Sequence, residues 1–210
     1  MPDRIELGEF DIRDFMAEET SSEIATTESS EATERQIVFA IDASNSMQGH
    51  KIGAVNDIVN NIISKLKSYA RTQPLSINIS VIGYSSRLFR WTQAFVPIED
   101  FKYSYVEMVD GLTDFNALFQ ELFELTENHM HPESKKFVIL FSDGLPTSDY
   151  HEARNKWMNT NMYKDIHKIV VAFDEDLTDP QSAEFFCQFT DSGTVISVKG
   201  QENLLASLMN

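Results

Sequence analysis

The chain contains 210 residues, of which 42% are hydrophobic and 24% are charged, a composition that provides for one sizeable core and excludes a wholly disordered chain. Thirty-three acidic residues against seventeen basic ones give a net charge of −16, which repels a polyanion and argues against nucleic acid as a partner. A single cysteine, no apolar run near the roughly 20 residues of a membrane helix and no signal-peptide pattern predict a cytoplasmic protein without disulfides or membrane contact.

The first 35 residues differ in composition from the rest of the chain. They hold eleven acidic residues and three arginines, so a sixth of the sequence carries half of the excess negative charge. Residues 19–33 set hydroxyl side chains among carboxylates and contain no aromatic residue, so burial there cannot offset the entropy cost of ordering. We therefore predict a largely disordered acidic leader over residues 1–35 and a folded domain over residues 36–210. Apolar residues within 5–16 would let the leader dock on a partner or fold back, but a solubilising role explains the composition equally well.

From residue 36 onward, strand-like and helix-like stretches alternate. Residues 37–41 form a short apolar run typical of a strand buried on both faces, and apolar residues at helical spacing over 55–69 predict the helix that follows. Strict alternation over 75–81 predicts a strand with one more polar face. Residues 87–91, after a turn at 83–86, are expected to pair with that strand as a hairpin at the edge of the sheet.

The second half of the chain continues the alternation. It predicts a helix over 115–125, a strand over 137–141, a polar helix over 148–163, a strand over 169–173, a helix over 180–189, a strand over 194–198 and a short C-terminal helix. This order predicts an α/β fold with a central, mostly parallel six-stranded sheet, one antiparallel edge strand and helices on both faces.

Polar residues stand where open α/β sheets bind ligands, at the carboxyl ends of the strands. Asp42, Ser44 and Ser46 follow the first strand, Thr113 precedes the second helix, and Asp143 follows the apolar strand at 137–141. Each alone has an ordinary explanation, because a hydroxyl residue before a helix usually caps it and Asp-Gly usually forms a turn. Together they are expected to meet at one edge of the sheet, so we interpret them as one site.

The pattern Asp42-x-Ser44-x-Ser46, with Thr113 and Asp143 further along the chain, resembles the von Willebrand factor A domain family. The resemblance covers about residues 36–208, and the five residues match that family's metal-ion-dependent adhesion site (MIDAS). It implies a Rossmann-like fold and a non-catalytic, metal-binding module for protein–protein interaction. It also implies that the three hydroxyls bind the ion directly, while the two aspartates act mostly through water and hydrogen bonds.

The chemistry of these residues favours a hard cation. A set of oxygen donors without thiols or imidazoles suits Mg²⁺, with Mn²⁺ able to replace it. Because the hydroxyl ligands implied by the resemblance are neutral, the ion keeps its electrophilic character. A carboxylate from a partner protein can then complete its coordination.

Within the family, the phrase Phe-Ser-Asp-Gly-Leu-Pro-Thr-Ser-Asp over 141–149 looks most like intracellular bacterial domains of the tellurite-resistance TerY type. Those proteins are associated with a protein kinase and a phosphatase in stress-response systems, so the resemblance implies a scaffold role in such a system. The glycine-rich turn often found before the family's threonine is replaced here by Val-Asp-Gly-Leu-Thr over 109–113. This departure adds the negative charge of Asp110 near the site and bears on the partner preference.

The association with a kinase suggests that the hydroxyl-rich leader is phosphorylated. Phosphate would add about −1.5 to −2 charges per site and create a ligand for an arginine-lined, phosphothreonine-reading domain. The candidate phosphoacceptors are Thr20, Thr26, Thr27 and Thr33.

The sequence is also compatible with other functions. A phosphotransferase or phosphohydrolase is disfavoured because the sequence has no phosphate-binding glycine loop, no nucleophile elbow and no second aspartate two residues after Asp42. The alternatives are a partner-binding domain whose site stays free of metal, and a subunit of a larger ATP-driven, metal-dependent assembly. A second protein contact is expected if Arg87, Arg90 and Trp91 form an exposed basic and aromatic patch on an edge strand.

Overall fold

Buried apolar strands alternate with amphipathic helices in the computed structural model, which describes residues 33–72, 74–107, 109–190 and 195–198. The strands are β1 (Thr33–Asp42), β2 (Leu75–Tyr84), β3 (Leu88–Arg90), β4 (Val96–Pro97), β5 (Lys135–Phe141), β6 (Ile166–Phe173) and β7 (Val195–Val198). The helices are α1 (His50–Ala70), α2 (Phe115–Asn128), α3 (His151–Met158) and α4 (Pro180–Phe189), with one-turn 3₁₀ helices at Asn45–Met47, Tyr163–Asp165 and Asp176–Thr178.

The strands form one sheet in the order β3-β2-β1-β5-β6-β7. The neighbours from β2 to β7 in this order run parallel, and β3 pairs antiparallel with β2 at the edge. The chain leaves β1 for β2 on one side and later returns to β5 on the other, so the direction of winding reverses at β1. Ligands bind at such a reversal in open α/β sheets, just outside the carboxyl ends of the strands.

The core lies in two layers, one on each face of the sheet. Ile37, Phe39 and Ile41 of β1 pack with α1, whereas Val38 and Ala40 pack on the opposite face with α2, α3 and α4. Successive side chains of a strand point to opposite faces of the sheet. A strand with helices packed on both faces therefore has apolar residues at consecutive positions. The predicted fold class, a mostly parallel sheet with helices on both faces and an antiparallel edge, is confirmed.

Several element boundaries differ from the sequence prediction. β1 begins at Thr33, so residues 33–35 of the predicted leader belong to the sheet, where Glu34 accepts a hydrogen bond from Asn78 at 2.7 Å. The predicted polar helix over 148–163 is shorter, because α3 covers only His151–Met158. The two-residue β4 pairs antiparallel with β2 and is an addition to the six predicted strands. The rest of the leader and the predicted C-terminal helix lie outside the described residues.

A long connection between β4 and α2 is tied to α1 by a buried asparagine. The Asn56 side chain donates to the Val106 carbonyl at 3.2 Å and accepts from the Val106 N–H at 2.9 Å and from the Tyr103 hydroxyl at 2.8 Å. A buried amide with both its donor and its acceptor paired holds its partners firmly, because breaking either bond leaves an unsatisfied polar group. This tether positions the segment that leads to Thr113.

Candidate metal centre

The carboxyl ends of β1 and β5 bring Asp42 and Asp143 to the same edge of the sheet. The two strands are adjacent and in register, with Ile41 opposite Phe141, so the next residue of each chain segment leaves the sheet at the same point. Asp42 is fully buried and accepts two hydrogen bonds, from the Ser44 N–H at 2.9 Å and from the Ser142 hydroxyl at 2.7 Å. Asp42 is therefore fixed by the loop that follows it and by the end of β5.

The serine and threonine hydroxyls lie beside these carboxylates. Ser44 Oγ and Ser46 Oγ are 3.0 Å apart, and the Ser46 hydroxyl donates to Asp143 Oδ1 at 2.7 Å. Thr113 Oγ1 and Ser46 Oγ lie 3.4 and 3.8 Å from the position that a Cβ atom would take on Gly144. The structure thus brings all five sequence-predicted residues together, around a space that a side chain at Gly144 would fill.

The segment before Thr113 is held against the end of β1 by backbone hydrogen bonds. The Asp110 N–H donates to the Ala43 carbonyl and the Asn45 N–H to the Gly111 carbonyl, both at 3.1 Å. Gly111 has a φ of 77°, a left-handed conformation that glycine adopts without a steric penalty. On the other side, both the N–H and the hydroxyl of Thr147 donate to the Thr113 carbonyl, at 3.0 and 2.9 Å. Thr113 is therefore fixed from both sides.

Two residues that sequence reasoning did not select complete the charge pattern of the site. Lys51, in the first turn of α1, donates to Asp143 Oδ2 at 2.7 Å and to both carboxylate oxygens of Asp176, at 2.9 and 3.0 Å. The Lys51 side chain is only 12% exposed and that of Asp143 only 1%. Asp176 follows β6, and Ser142 directly follows β5. Both therefore stand at the carboxyl end of a strand, the position by which the other site residues were predicted from the sequence.

Burial governs the protonation of the groups around the site. It raises the pKa of Asp42 from 3.8 to about 6, against the lowering effect of the hydrogen bonds from Ser44 and Ser142. Burial also raises the pKa of Tyr84 well above its ordinary value, aided by the charge of Asp42, so its hydroxyl is neutral. Burial alone would lower the pKa of Lys51, but its hydrogen bonds to Asp143 and Asp176 outweigh that effect and raise it. Lys51 is therefore a permanent cation.

The residues fit a hard divalent ion. The described part of the chain holds no cluster of three or more His, Cys, Asp or Glu side chains suited to a metal. A site of this composition depends instead on hydroxyl oxygens with supporting carboxylates, which suits Mg²⁺ or Mn²⁺. The buried Tyr84 hydroxyl lies close to the site, since the charge of Asp42 and a contact with the Ser142 hydroxyl both influence its pKa.

The predicted basic and aromatic patch on the edge strand is largely neutralised. Arg87 is paired with Asp110 at 2.8 Å, and Arg90 is paired with Glu121 of α2. Trp91 is half-buried and packs against the core on the α1 face of the sheet. The pairing of Arg87 also offsets the negative charge that Asp110 was expected to add near the site.

Comparison with known proteins finds a matching family model and several solved structures of similar fold. The family model described as the von Willebrand factor type A domain matches residues 36–179. The pilus adhesin SpaC from Lactobacillus rhamnosus GG, in an open conformation, aligns with a TM-score of 0.65 and 15% identity over 85% of this chain and 29% of its own. A von Willebrand factor type A protein from Catenulispora acidiphila aligns with a TM-score of 0.61 and 16% identity over 83% of this chain and 41% of its own.

A third similar structure contains a metal ion. It is proximal thread matrix protein 1 from the mussel byssus, described with a zinc-occupied MIDAS motif, and it aligns with a TM-score of 0.62 and 15% identity over 85% of this chain and 47% of its own. The chain thus spans less than half the length of each of these three solved chains. At such low identity, the likeness shows the fold.

Proposed function

The chain belongs to the von Willebrand factor type A family, and we propose that it is a non-catalytic interaction module that binds Mg²⁺ at its MIDAS residues and docks a carboxylate of a partner protein. Domains of this family generally mediate protein–protein interactions. The observation that carries the proposal is the convergence of Asp42, Ser44, Ser46, Thr113 and Asp143 at one edge of the sheet.

Each residue has a distinct task in this proposal. Ser44, Ser46 and Thr113 would offer neutral hydroxyl oxygens to the ion. Asp42 and Asp143 would orient those ligands and their waters, as Asp42 already holds the Ser44 N–H and Asp143 the Ser46 hydroxyl. The metal supplies a Lewis-acid position with an exchangeable coordination site, which a carboxylate can occupy.

The surface next to the site is suited to contact with another protein. Leu112 directly precedes Thr113 and is 62% exposed, and it stands on a turn that is fixed by the bond from its N–H to Ser86 Oγ at 2.9 Å. An exposed apolar side chain on a fixed turn, beside an electrophilic ion, favours a partner that presents an acidic residue next to an apolar one.

Calorimetric titration of the full chain with MnCl₂ and MgCl₂ tests the proposal. We expect Thr113→Ala and Ser44→Ala to abolish or strongly weaken binding, because each removes a metal-facing hydroxyl from a site that has few direct protein ligands. Sodium acetate should tighten metal binding to the wild type, since the anion completes the coordination.

Thr160→Ala is the matched control. Thr160 is also a buried threonine, and its hydroxyl donates to the Trp157 carbonyl at 2.8 Å. Because Thr160 precedes β6, it lies toward the amino ends of the strands, away from the metal centre at their carboxyl ends. This variant should bind metal as the wild type does. Wild-type protein that binds neither ion at about millimolar concentration would favour the alternative of a metal-free partner-binding domain, and copurification with an ATPase would favour a subunit of an ATP-driven assembly.

The narrower TerY-type role stays a prediction from the sequence. It places the module as a scaffold between a kinase and a phosphatase in the cytoplasm, with a phosphorylated leader. The backbone of Thr33, one of the four candidate phosphoacceptors, lies in β1 opposite Leu75. The other three, Thr20, Thr26 and Thr27, are outside the described residues. Intact-mass measurement after coexpression with the cognate kinase tests the idea, and a leader without phosphate would remove it.

Separately, no helix in the described ranges is long and apolar enough to span a membrane.

A further inference from the structure

Lys51 places a positive charge inside the candidate metal centre. Its Nζ atom bonds Asp143 Oδ2 at 2.7 Å and the Asp176 oxygens at 2.9 and 3.0 Å, with Glu175 Oε1 at 3.9 Å and the Phe173 ring centroid at 5.3 Å. The Asp143 and Asp176 side chains are 1% and 13% exposed, so these are not the solvent-screened pairs of a protein surface. The ammonium group is therefore one charged partner in a largely dry cluster.

The two carboxylate oxygens of Asp143 have different partners. Oδ1 of Asp143 accepts from the Ser46 hydroxyl, and Oδ2 accepts from Lys51. The carboxylate that would stabilise a divalent ion through Ser46 is thus already neutralised, to a large degree, by a cation of the chain itself. At short range and with little screening, a neighbouring positive charge opposes the binding of another cation.

Three parts of the fold meet at this lysine. α1 supplies Lys51 shortly after the loop of Ser44 and Ser46, β5 ends at Asp143, and Asp176 comes from the 3₁₀ helix after β6. Burying an ammonium group among carboxylates costs desolvation energy that is recovered only if its hydrogen bonds are well formed, and here each of its short contacts to Asp143 and Asp176 is. Lys51 is fixed in place.

We propose that Lys51 is a positioning residue that holds Asp143 and sets the charge of the metal centre. Its charge lowers the intrinsic affinity for the divalent ion and leaves the bound ion short of negative charge. Firm metal binding then depends on the carboxylate that a partner brings, so metal binding and partner binding are coupled through electrostatics. This inference rests on the proposed function and names the residue that makes the site depend on its partner.

Titration of the full chain with MnCl₂, with and without sodium acetate, tests the proposal on Lys51→Met and Lys51→Arg. Lys51→Met should bind Mn²⁺ about tenfold more tightly in the absence of acetate, because the opposing charge is gone. Acetate should then tighten binding less than it does in the wild type. Lys51→Arg keeps the charge and should restore wild-type values for both quantities, which a purely structural loss at this position would not explain.

Lys67→Met is the charge control: it removes the same charge from the same helix about 24 Å further along the axis, together with the hydrogen bond from Lys67 Nζ to the Phe101 carbonyl at 2.6 Å. It should leave Mn²⁺ affinity unchanged. In case Lys51→Met folds poorly, Asp176→Asn provides a variant of opposite sign: it removes a negative charge, leaves Lys51 less neutralised and should weaken Mn²⁺ binding. Circular dichroism of each variant checks its fold.

The outcomes separate this inference from the proposed function. If the wild type binds Mn²⁺ and the folded Lys51→Met binds equally or more weakly, the inference is wrong and the proposed function stands. If the wild type does not bind but Lys51→Met does, the role of Lys51 is supported and metal binding by the isolated wild type is not. If neither binds, both proposals fail.

Discussion

At the scale of single residues, the site depends on a carboxylate that the fold removes from water. Asp42 is fully buried, and two hydrogen bonds offset only part of the cost of keeping it charged, so its pKa is raised to about 6. A bound cation lowers the energetic cost of keeping this buried carboxylate charged. Asp42 therefore links metal binding to protonation and to stability.

Asp42→Asn should stabilise the metal-free protein near neutral pH. The folded-state pKa of about 6 lies above the ordinary value of 3.8, so the stability from the protonated carboxyl is fully present below about pH 3.8 and is lost as the pH rises through about 6. Asparagine imitates the protonated form. In the presence of a chelator, the free energies of unfolding of the two proteins should be similar near about pH 4, and that of the wild type should be lower by about 3 kcal/mol near about pH 7.

Urea denaturation of both proteins across this pH range measures the difference. A constant difference at every pH would show that Asp42 titrates as an ordinary carboxyl. An excess of Mn²⁺ should narrow the difference near neutral pH, because the ion stabilises only the protein that retains the carboxylate and binds it.

At the scale of elements, the turn before α2 decides where Thr113 lies. The turn needs glycine at position 111, where φ is 77° and a Cβ atom would clash with the Ser86 hydroxyl. The same Ser86 hydroxyl oxygen accepts a hydrogen bond from the N–H of Leu112. The close contact between the turn and Ser86 therefore helps to fix the positions of both Leu112 and Thr113.

Gly111→Ala should lower the free energy of unfolding by about 2 kcal/mol and weaken Mn²⁺ binding, because the left-handed conformation and the contact with Ser86 both resist a side chain. Thermal or urea denaturation and metal titration measure the two effects. Gly53→Ala is the matched control: Gly53 lies inside α1 with nothing within 4 Å of its Cβ position. Since alanine is the better helix former by about 1 kcal/mol, that variant should be more stable and bind metal normally. Equal behaviour of the two variants would contradict the role of the turn.

At the scale of the whole molecule, the two ends of β1 serve different purposes. The leader joins the sheet at Thr33, and the metal centre begins at Asp42, nine residues along the strand and about 30 Å away. That separation exceeds the Debye length of about 8 Å at physiological ionic strength. Charge added to the leader should therefore act on partners of the leader and leave the metal centre alone.

Replacement of Thr20, Thr26 and Thr27 together by glutamate tests this separation. If residues 20–27 stay beyond the Thr33 end of β1, the added charges are screened from the site, and the triple variant should bind Mn²⁺ within about twofold of the wild type at about 0.15 M salt. The corresponding triple alanine variant controls for loss of the hydroxyls. A change larger than about threefold in the glutamate variant alone would mean that the leader reaches the opposite edge of the sheet.

The sequence by itself determined the fold class, most of the elements and the five residues that converge. Continuous apolar runs such as residues 37–41 predicted buried parallel strands, and in such a sheet the residues after the strands must share an edge. That rule places Asp42 and Asp143 at the same edge of the sheet, and the pairing of β1 with β5 puts them side by side. The TerY-type role and the phosphorylation of the leader are still predictions, because they concern partner proteins and a modification, and three of the four candidate phosphoacceptors lie outside the described ranges.

Only the tertiary structure decided the electrostatics of the site. Lys51 and Asp176 are 125 positions apart, and no local pattern indicates that one ammonium group would bridge Asp176 and Asp143. In the same way, Arg87 and Arg90 appear as exposed basic residues in the sequence, and their partners Asp110 and Glu121 come from distant segments. Hydrophobic periodicity is repeated along the chain and so can be read locally, whereas an ion pair depends on which side chains the packing brings within a few ångströms of each other.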